Sequence, residues 1–244
     1  MKVRLDLRLV ELKLAESRNQ AQALILEGKV RVKGQVETKA SKSVDSTDPI
    51  EVEAPPRFVS RGGEKMEGAF NKFATLTAEG KICLDVGSST GGFTDCLLQH
   101  GAKMVMAVDV GTNQLAYKLR SDPRVWVREN YNARFMKSED LPEVPVLAVT
   151  DVSFISLELI LPPIAEVLAR GGEIVALIKP QFEVGKGNAP GGLVKDEKLR
   201  LDARDKIVRF AIEKLDLELL GLEESPIRGK EMGNIEYLSY WRKR

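Results

Sequence analysis

The chain has one histidine and two cysteines in 244 residues, and Lys+Arg 37 against Asp+Glu 36 leaves almost no net charge. Each shortage excludes something. With His100 as the only imidazole, Ser-His-Asp chemistry and histidine-rich metal sites have no material to work with. Cys83 and Cys96 follow no ligand or disulfide spacing, so both read as core residues in a reducing compartment, and no metal site is expected. His100 stands before Gly101, where a helix C-terminus is expected. No apolar run approaches the ~20 residues of a membrane span and no signal peptide opens the chain; a cytoplasmic protein without a membrane partner is expected. A near-neutral total rules out a global field for nucleic acid, so any such role has to come from local patches.

Local patches exist. Residues 1–33 hold eight Lys/Arg and four Asp/Glu, and residues 225–244 hold five and two. The prolines of Ala54-Pro55-Pro56 divide the chain into a unit at 1–56, an ordered turn at 57–63 and a larger unit at 64–244. In the small unit, helices are expected near 3–13 and 17–27, the second capped by Ser17, followed by a strand at 28–34. That strand alternates basic residues with valines. In the larger unit, strands at 82–86, 104–108, 125–127, 146–150 and 174–178 alternate with helices near 64–73, 92–100, 112–120, 155–169 and 197–214. Strands at 216–223 and 235–242 close the chain. The continuously apolar strands predict a mostly parallel, doubly covered α/β sheet.

The most informative stretch runs from Ile82 to Asp95: an apolar strand, an acid, a glycine turn and the start of a helix. Such a unit presents free backbone N–H groups to a ligand. Gly87 and Gly92 fit the outer positions of G-x-G-x-x-G, but Ser89 replaces the glycine that lets backbone approach a pyrophosphate, and Phe93 breaks the Walker pattern. Asp85 suits a cationic amine. S-adenosyl-L-methionine is therefore favoured over NAD and ATP. Gly87, Ser88, Ser89, Thr90, Gly91, Gly92 and Phe93 are expected around its methionine part. Asp109, ending the next strand, is expected at the ribose hydroxyls. Adenine is assigned to 129–132, with Asn130 as the contact.

Asp151 and Lys179 each end a buried strand, where open α/β sheets place ligands. Lys65 follows Ser60-Arg61-Gly62-Gly63, and Glu236 opens the last strand. Asp151-Val152-Ser153-Phe154 lacks the Pro-Pro-aromatic turn of many amine methyltransferases, and neither cysteine suits a pyrimidine-carbon mechanism. An alcohol acceptor activated by a lysine remains. Keeping an unperturbed lysine neutral at pH 7 costs about 4.6 kcal/mol, so the surrounding charges matter.

Two resemblances sharpen this reading. Arg4-Leu5-Asp6, Ser17-Arg18-Asn19-Gln20-Ala21 and Gly28-Lys29-Val30-Arg31-Val32-Lys33-Gly34 resemble the RNA-binding domain named after ribosomal small-subunit protein four. This implies RNA contacts at Arg4, Arg18, Lys29, Arg31 and Lys33; Arg61, in the 57–63 turn, is added as a candidate. Lys65, Asp151, Lys179 and Glu236 match the order and spacing of the Lys-Asp-Lys-Glu tetrad of FtsJ-type ribose 2′-O-methyltransferases. With the small domain in front, the chain resembles the TlyA family, also called hemolysin A. The resemblance implies a Rossmann-like class I methyltransferase domain with a seven-stranded sheet and a small α+β RNA-binding domain. It also implies transfer to cytidine 2′-hydroxyls of ribosomal RNA, free or in an assembled subunit. Lys179 takes the base or hydroxyl-orienting role; Lys65 and Glu236 position the acceptor, and Asp151 lies between lysine and cofactor. The competing readings are a non-catalytic ribosome-assembly factor with a vestigial fold and, more remotely, a membrane-lytic protein. The loop 185–192 is left as either substrate-facing or a simple connection.

Overall fold

Val30 and Val32 are buried while Arg31 between them is exposed, the period-two signature of a strand covering a core with one face. They belong to the first of two units, Met1–Pro56 and Arg57–Arg244, of a computed structural model describing residues 2–54, 56–185, 187–229 and 232–244. Pro55 of the expected boundary and Lys186 of the 185–192 loop lie outside the described residues.

The small unit runs β1 (Lys2–Arg4), α1 (Leu5–Glu11), α2 (Arg18–Leu26), β2 (Val30–Val32), β3 (Gln35–Glu37), β4 (Ser43–Asp45) and β5 (Ile50–Val52). The expected first helix begins at Leu5, because Lys2–Arg4 pair with β4 as an antiparallel ladder. Ser17 caps α2 by accepting from the Gln20 N–H at 3.3 Å. A second sheet has the order β3-β2-β5. Leu5, Leu9, Ala21, Ile25, Val30 and Val44 form the core, each large side chain contributing about 1.5–3 kcal/mol by burial.

The larger unit begins with α3 (Gly62–Lys72), then alternates β6 (Ile82–Val86), α4 (Gly92–Gln99), β7 (Met104–Val108), α5 (Tyr117–Arg120), β8 (Val125–Arg128), β9 (Leu147–Thr150), α6 (Leu161–Val167), β10 (Glu173–Ile178) and α7 (Pro180–Glu183). It ends with α8 (Glu197–Leu215), β11 (Leu217–Glu224) and β12 (Tyr237–Lys243). The seven strands lie in the order β11-β12-β10-β9-β6-β7-β8, with β12 antiparallel to both neighbours and the others parallel. This is the mostly parallel Rossmann-like sheet that its apolar strands imply, buried on both faces. The connections leave in opposite directions from β6 and β9, so a crevice opens beyond their carboxyl ends.

Two expected helices are shorter than their patterns suggest. Over 112–120 only Tyr117–Arg120 is α-helical. The Glu129 carboxylate accepts from the N–H groups of Asn113, Gln114 and Leu115, giving these donors a partner outside any helix. Over 155–169 a 3-10 turn at Leu157–Leu159 precedes α6, which starts where Pro162 and Pro163 fit the first helical turn.

Candidate active site

Four charged side chains from four parts of the larger unit meet in an alternating chain. Lys65, on α3, places Nζ 2.8 Å from Glu236 Oε2 and 3.2 Å from Asp151 Oδ2. Asp151, just past β9, reaches the second lysine through its other oxygen, with Lys179 Nζ 2.7 Å from Oδ1. That contact is close but off the hydrogen-bond direction. Lys179 donates instead to Ser153 Oγ at 2.8 Å and, at 3.4 Å, to the Asp151 carbonyl. The order is therefore Glu236–Lys65–Asp151–Lys179–Ser153. Lys65, Lys179 and Glu236 are buried and Asp151 is half-buried. Buried charges persist only when paired, and here two ammoniums meet two carboxylates with no charge left over.

Local sequence explains why these groups converge. Asp151 and Lys179 end neighbouring parallel strands, so both project at the carboxyl edge. Glu183, at the end of α7, accepts from Ser156 Oγ at 2.5 Å and from Leu157 N at 2.9 Å, tying the loop after β9 to the loop after β10. Burial pushes the Glu183 carboxyl above its ordinary range, against the pull of those two hydrogen bonds. Phe154, between Ser153 and Ile155, has φ of 64° and is 82% exposed. A left-handed aromatic residue is a backbone outlier that its surroundings must hold in place. Its ring lies 5.2 Å from that of Phe182.

The tetrad forms one wall of a cavity of about 540 Å³, which the turn after β6 lines with Gly87, Ser88, Ser89, Thr90, Gly92 and Phe93. Gly87 has φ of 81°, and a Cβ there would sit 2.8 Å from Val152 Cγ1, so only glycine fits. Gly91 plays a packing role: a Cβ would strike Leu119 at 2.3 Å. At the root of the turn Asp85 is buried at the cavity wall, with Oδ2 accepting from Thr94 N at 3.0 Å and Thr94 Oγ1 at 2.6 Å. Burial pushes its carboxyl up to about 7, the Thr94 bonds only partly opposing it. A second cavity, also about 540 Å³, adjoins through Gly87, Ser89 and Asp151. Asp109 is in its wall, with Oδ2 held by Ser89 N at 2.7 Å and Oδ1 by Gly111 N at 2.6 Å.

The fold agrees with known proteins. Residues 58–243 match the FtsJ-like methyltransferase family, and residues 3–50 match the S4 domain. The chain belongs to the FtsJ-like methyltransferase family. It is 47% identical over 231 residues to hemolysin A of Brachyspira hyodysenteriae, covering 93% of this chain and 94% of that protein. It is 45% identical over 244 residues to the 16S/23S rRNA (cytidine-2′-O)-methyltransferase TlyA of Mycobacterium tuberculosis, covering 99% and 90%. A solved Streptococcus thermophilus structure carrying the hemolysin label superposes with a TM-score of 0.75 at 42% identity, covering 99% of this chain and 88% of that one.

Within this FtsJ-like unit, Lys65, Asp151, Lys179 and Glu236 are brought together, and the glycine turn, Asp85 and Asp109 border the two cavities. Asn130 is exposed, with φ of 53°, and lines neither cavity; Tyr131, Asn132, Ala133 and Arg134 line the second. Arg61 lies at the mouth of the first cavity beside Arg228, donating to its carbonyl at 2.9 Å.

In the S4 unit, Arg4 and Arg18 converge on the fully buried Asp6. Arg4 binds it through two bonds of 3.0 Å, Arg18 through one of 3.0 Å, and Gln22 adds another of 2.9 Å. The Arg4 guanidinium holds the Asp6 carboxyl far below the usual carboxylate range. Lys29 pairs with Glu27 at 2.5 Å and Lys33 with Asp48 at 2.9 Å, while Arg31 reaches the Gly34 carbonyl at 3.4 Å. Sequence reasoning gave no role to Ser153, Phe154, Phe182, Arg228 or Asp6. The first three stand within three residues of a tetrad member, the only signal that could have found them.

Proposed function

We propose that this chain transfers a methyl group from S-adenosyl-L-methionine to the 2′-hydroxyl of a cytidine in ribosomal RNA, acting in the cytoplasm on rRNA or an assembled subunit. The observation that carries the reading is the buried, charge-balanced chain Glu236–Lys65–Asp151–Lys179 beside a glycine turn at the carboxyl edge of the sheet. The rRNA (cytidine-2′-O)-methyltransferase name of the Mycobacterium tuberculosis relative supports the same acceptor.

The donor set fits the cofactor. Asp85 offers a carboxylate to its ammonium group and Asp109 one to its ribose hydroxyls. Val110, Val152 and Ile155 give the second cavity an apolar wall for a flat heterocycle. When bound, S-adenosyl-L-methionine supplies an already activated methyl group. The protein's own task is then positional. Lys179 Nζ orients the ribose hydroxyl and, once it has released its own ammonium proton to solvent, receives the hydroxyl proton; Asp151 keeps Nζ directed, and Lys65 with Glu236 holds Asp151 and the acceptor in place. Phe154 presents an exposed ring beside the tetrad on which a nucleotide base can stack. Arg61 and Arg228 supply positive charge for backbone phosphates. The S4 unit adds its exposed arginine edges, which suits recognition of structured RNA by shape. Among the described residues, no helix is long and apolar enough to cross a membrane.

The test is transfer of labelled methyl to ribosomal subunits and naked rRNA from cells lacking this protein. Label on a ribose 2′-oxygen, absent with Lys179→Ala, is the expected result. Label on a base overturns the acceptor assignment, and cofactor binding without any transfer favours a non-catalytic assembly role.

A further inference from the structure

The single histidine of the chain sits beside one of its two cysteines. Cys96 and His100 are four residues apart at the end of α4, which places both on one helical face, and Glu67 of α3 reaches the same point. One ligand atom from each lies within 4.8 Å of the others. His100 Nε2 is 2.7 Å and Cys96 Sγ 3.7 Å from Glu67 Oε2. We propose that Glu67, Cys96 and His100 form a divalent transition-metal site of the zinc class.

The donor set selects the ion. A thiolate with an imidazole and one carboxylate oxygen suits zinc or cobalt(II) and is a poor match for magnesium or calcium. Ligand atoms of a tetrahedral zinc site stand roughly 3.3–3.7 Å apart, as bond lengths of about 2.0–2.3 Å require. The cluster therefore needs its ligand atoms to shift by an ångström or so. Its outer arrangement is already built. Arg57 Nη1 holds Glu67 Oε1 at 2.7 Å, leaving Oε2 for the ion, and the His100 ring stacks on Phe70 at 3.9 Å between centroids. Cys96 closes the site from the buried side, while Glu67 and His100 are half-exposed and give an ion its route in. The fourth position falls to water. On binding, the Cys96 thiol proton leaves to solvent and His100 binds through Nε2, its ring proton moving to Nδ1. The ion joins α3, which carries Lys65 two residues before Glu67, to α4, which starts at the glycine turn. It clips together two walls of the active-site cavity without entering it.

Cobalt(II) titration of reduced, metal-free protein tests this. The expected result is a thiolate-to-cobalt charge-transfer band that saturates at one ion per chain, bleaches on adding zinc, survives Cys83→Ser and disappears in Cys96→Ser. Zinc is expected to raise the melting temperature of the wild type and to leave that of His100→Gln unchanged. His100→Gln alters a half-exposed side chain and keeps the test readable if Cys96→Ser does not fold. Absence of the band in folded wild-type protein, its persistence in Cys96→Ser, or an equal zinc shift in His100→Gln would overturn the site.

Discussion

Two ion-pair networks in this chain both join basic side chains to carboxylates and differ in what they leave over. In the larger unit two lysines and two carboxylates alternate, all buried or half-buried, and the charges cancel. In the small unit one buried carboxylate, Asp6, collects two arginines whose side chains stay 44% and 53% exposed. The first arrangement aligns Nζ atoms at a cavity wall and contributes almost no field beyond it. The second fixes two guanidiniums at the surface and leaves a net positive charge there. Balance suits chemistry on a hydroxyl; imbalance suits holding phosphates.

Removing Lys179 should break the first network most severely. Lys179→Ala deletes the group placed on the acceptor proton, and methyl transfer is expected to fall 10²–10⁴-fold, the usual range for a positioned acid–base group. Cofactor affinity measured by calorimetry should be unchanged, and wild-type turnover would remove Lys179 from its role. Glu236→Ala tests balance instead. It leaves Lys65, buried on α3, with only Asp151, and stripping one partner from a buried pair costs about 3–5 kcal/mol. Thermal unfolding should show that loss, and Glu236→Gln should recover part of the stability without restoring turnover.

The small unit should respond less. Asp6→Ala removes three charge-assisted bonds, one from Gln22 and one from the Leu7 N–H, but the arginines left behind are open to water, so a loss of about 2 kcal/mol is expected. The sign with pH follows from the depressed carboxyl. Asp6 stabilises the fold above the unfolded value of about 3.9 and loses that contribution as pH falls below it. Acid unfolding of this unit should begin near pH 4 in the wild type and be less pH-dependent in Asp6→Ala. RNA affinity should drop with it, because Arg4 and Arg18 lose their common anchor. Unchanged RNA binding would place the contact surface elsewhere.

The contrast also separates what the sequence made legible from what it did not. The sheet strands announce themselves because burial on both faces leaves continuous apolar runs such as Ile174–Ile178, and the tetrad lies at strand ends where α/β ligands bind. The three-residue strands β1, β3, β4 and β5 are too short to show a period, and pairing with distant partners creates them. The helix expected over 112–120 loses its first half because Glu129, fourteen or more residues away, takes the N–H groups of Asn113, Gln114 and Leu115. Asp6 reads as an ordinary first-turn acid until Arg18 and Gln22 arrive from the next helix. Local pattern reveals elements, whereas the partners of a charge are set by tertiary contacts.

Asp85 offers the most discriminating test, because it is a buried carboxylate that forms no ion pair among the described residues, unlike Asp6 or Asp151. Its carboxyl, raised to about 7, keeps its proton in the folded chain while the unfolded chain ionises near 3.9. Stability from this group is thus greatest in acid and declines between about pH 4 and 7, the reverse of Asp6. A ligand ammonium placed against Asp85 reverses the preference by favouring the carboxylate, so binding must expel the proton below pH 7. The affinity for S-adenosylhomocysteine, which carries the same amino group, should therefore rise between pH 6 and 7 by up to about tenfold and then level off. Asp85→Asn keeps the Thr94 donors but cannot ionise, so its affinity should be flat over that range and about 1.5–3 kcal/mol weaker at pH 7.5. Calorimetry on both proteins at three pH values decides it. A parallel rise in the variant would mean that another group, and not Asp85, meets the amine.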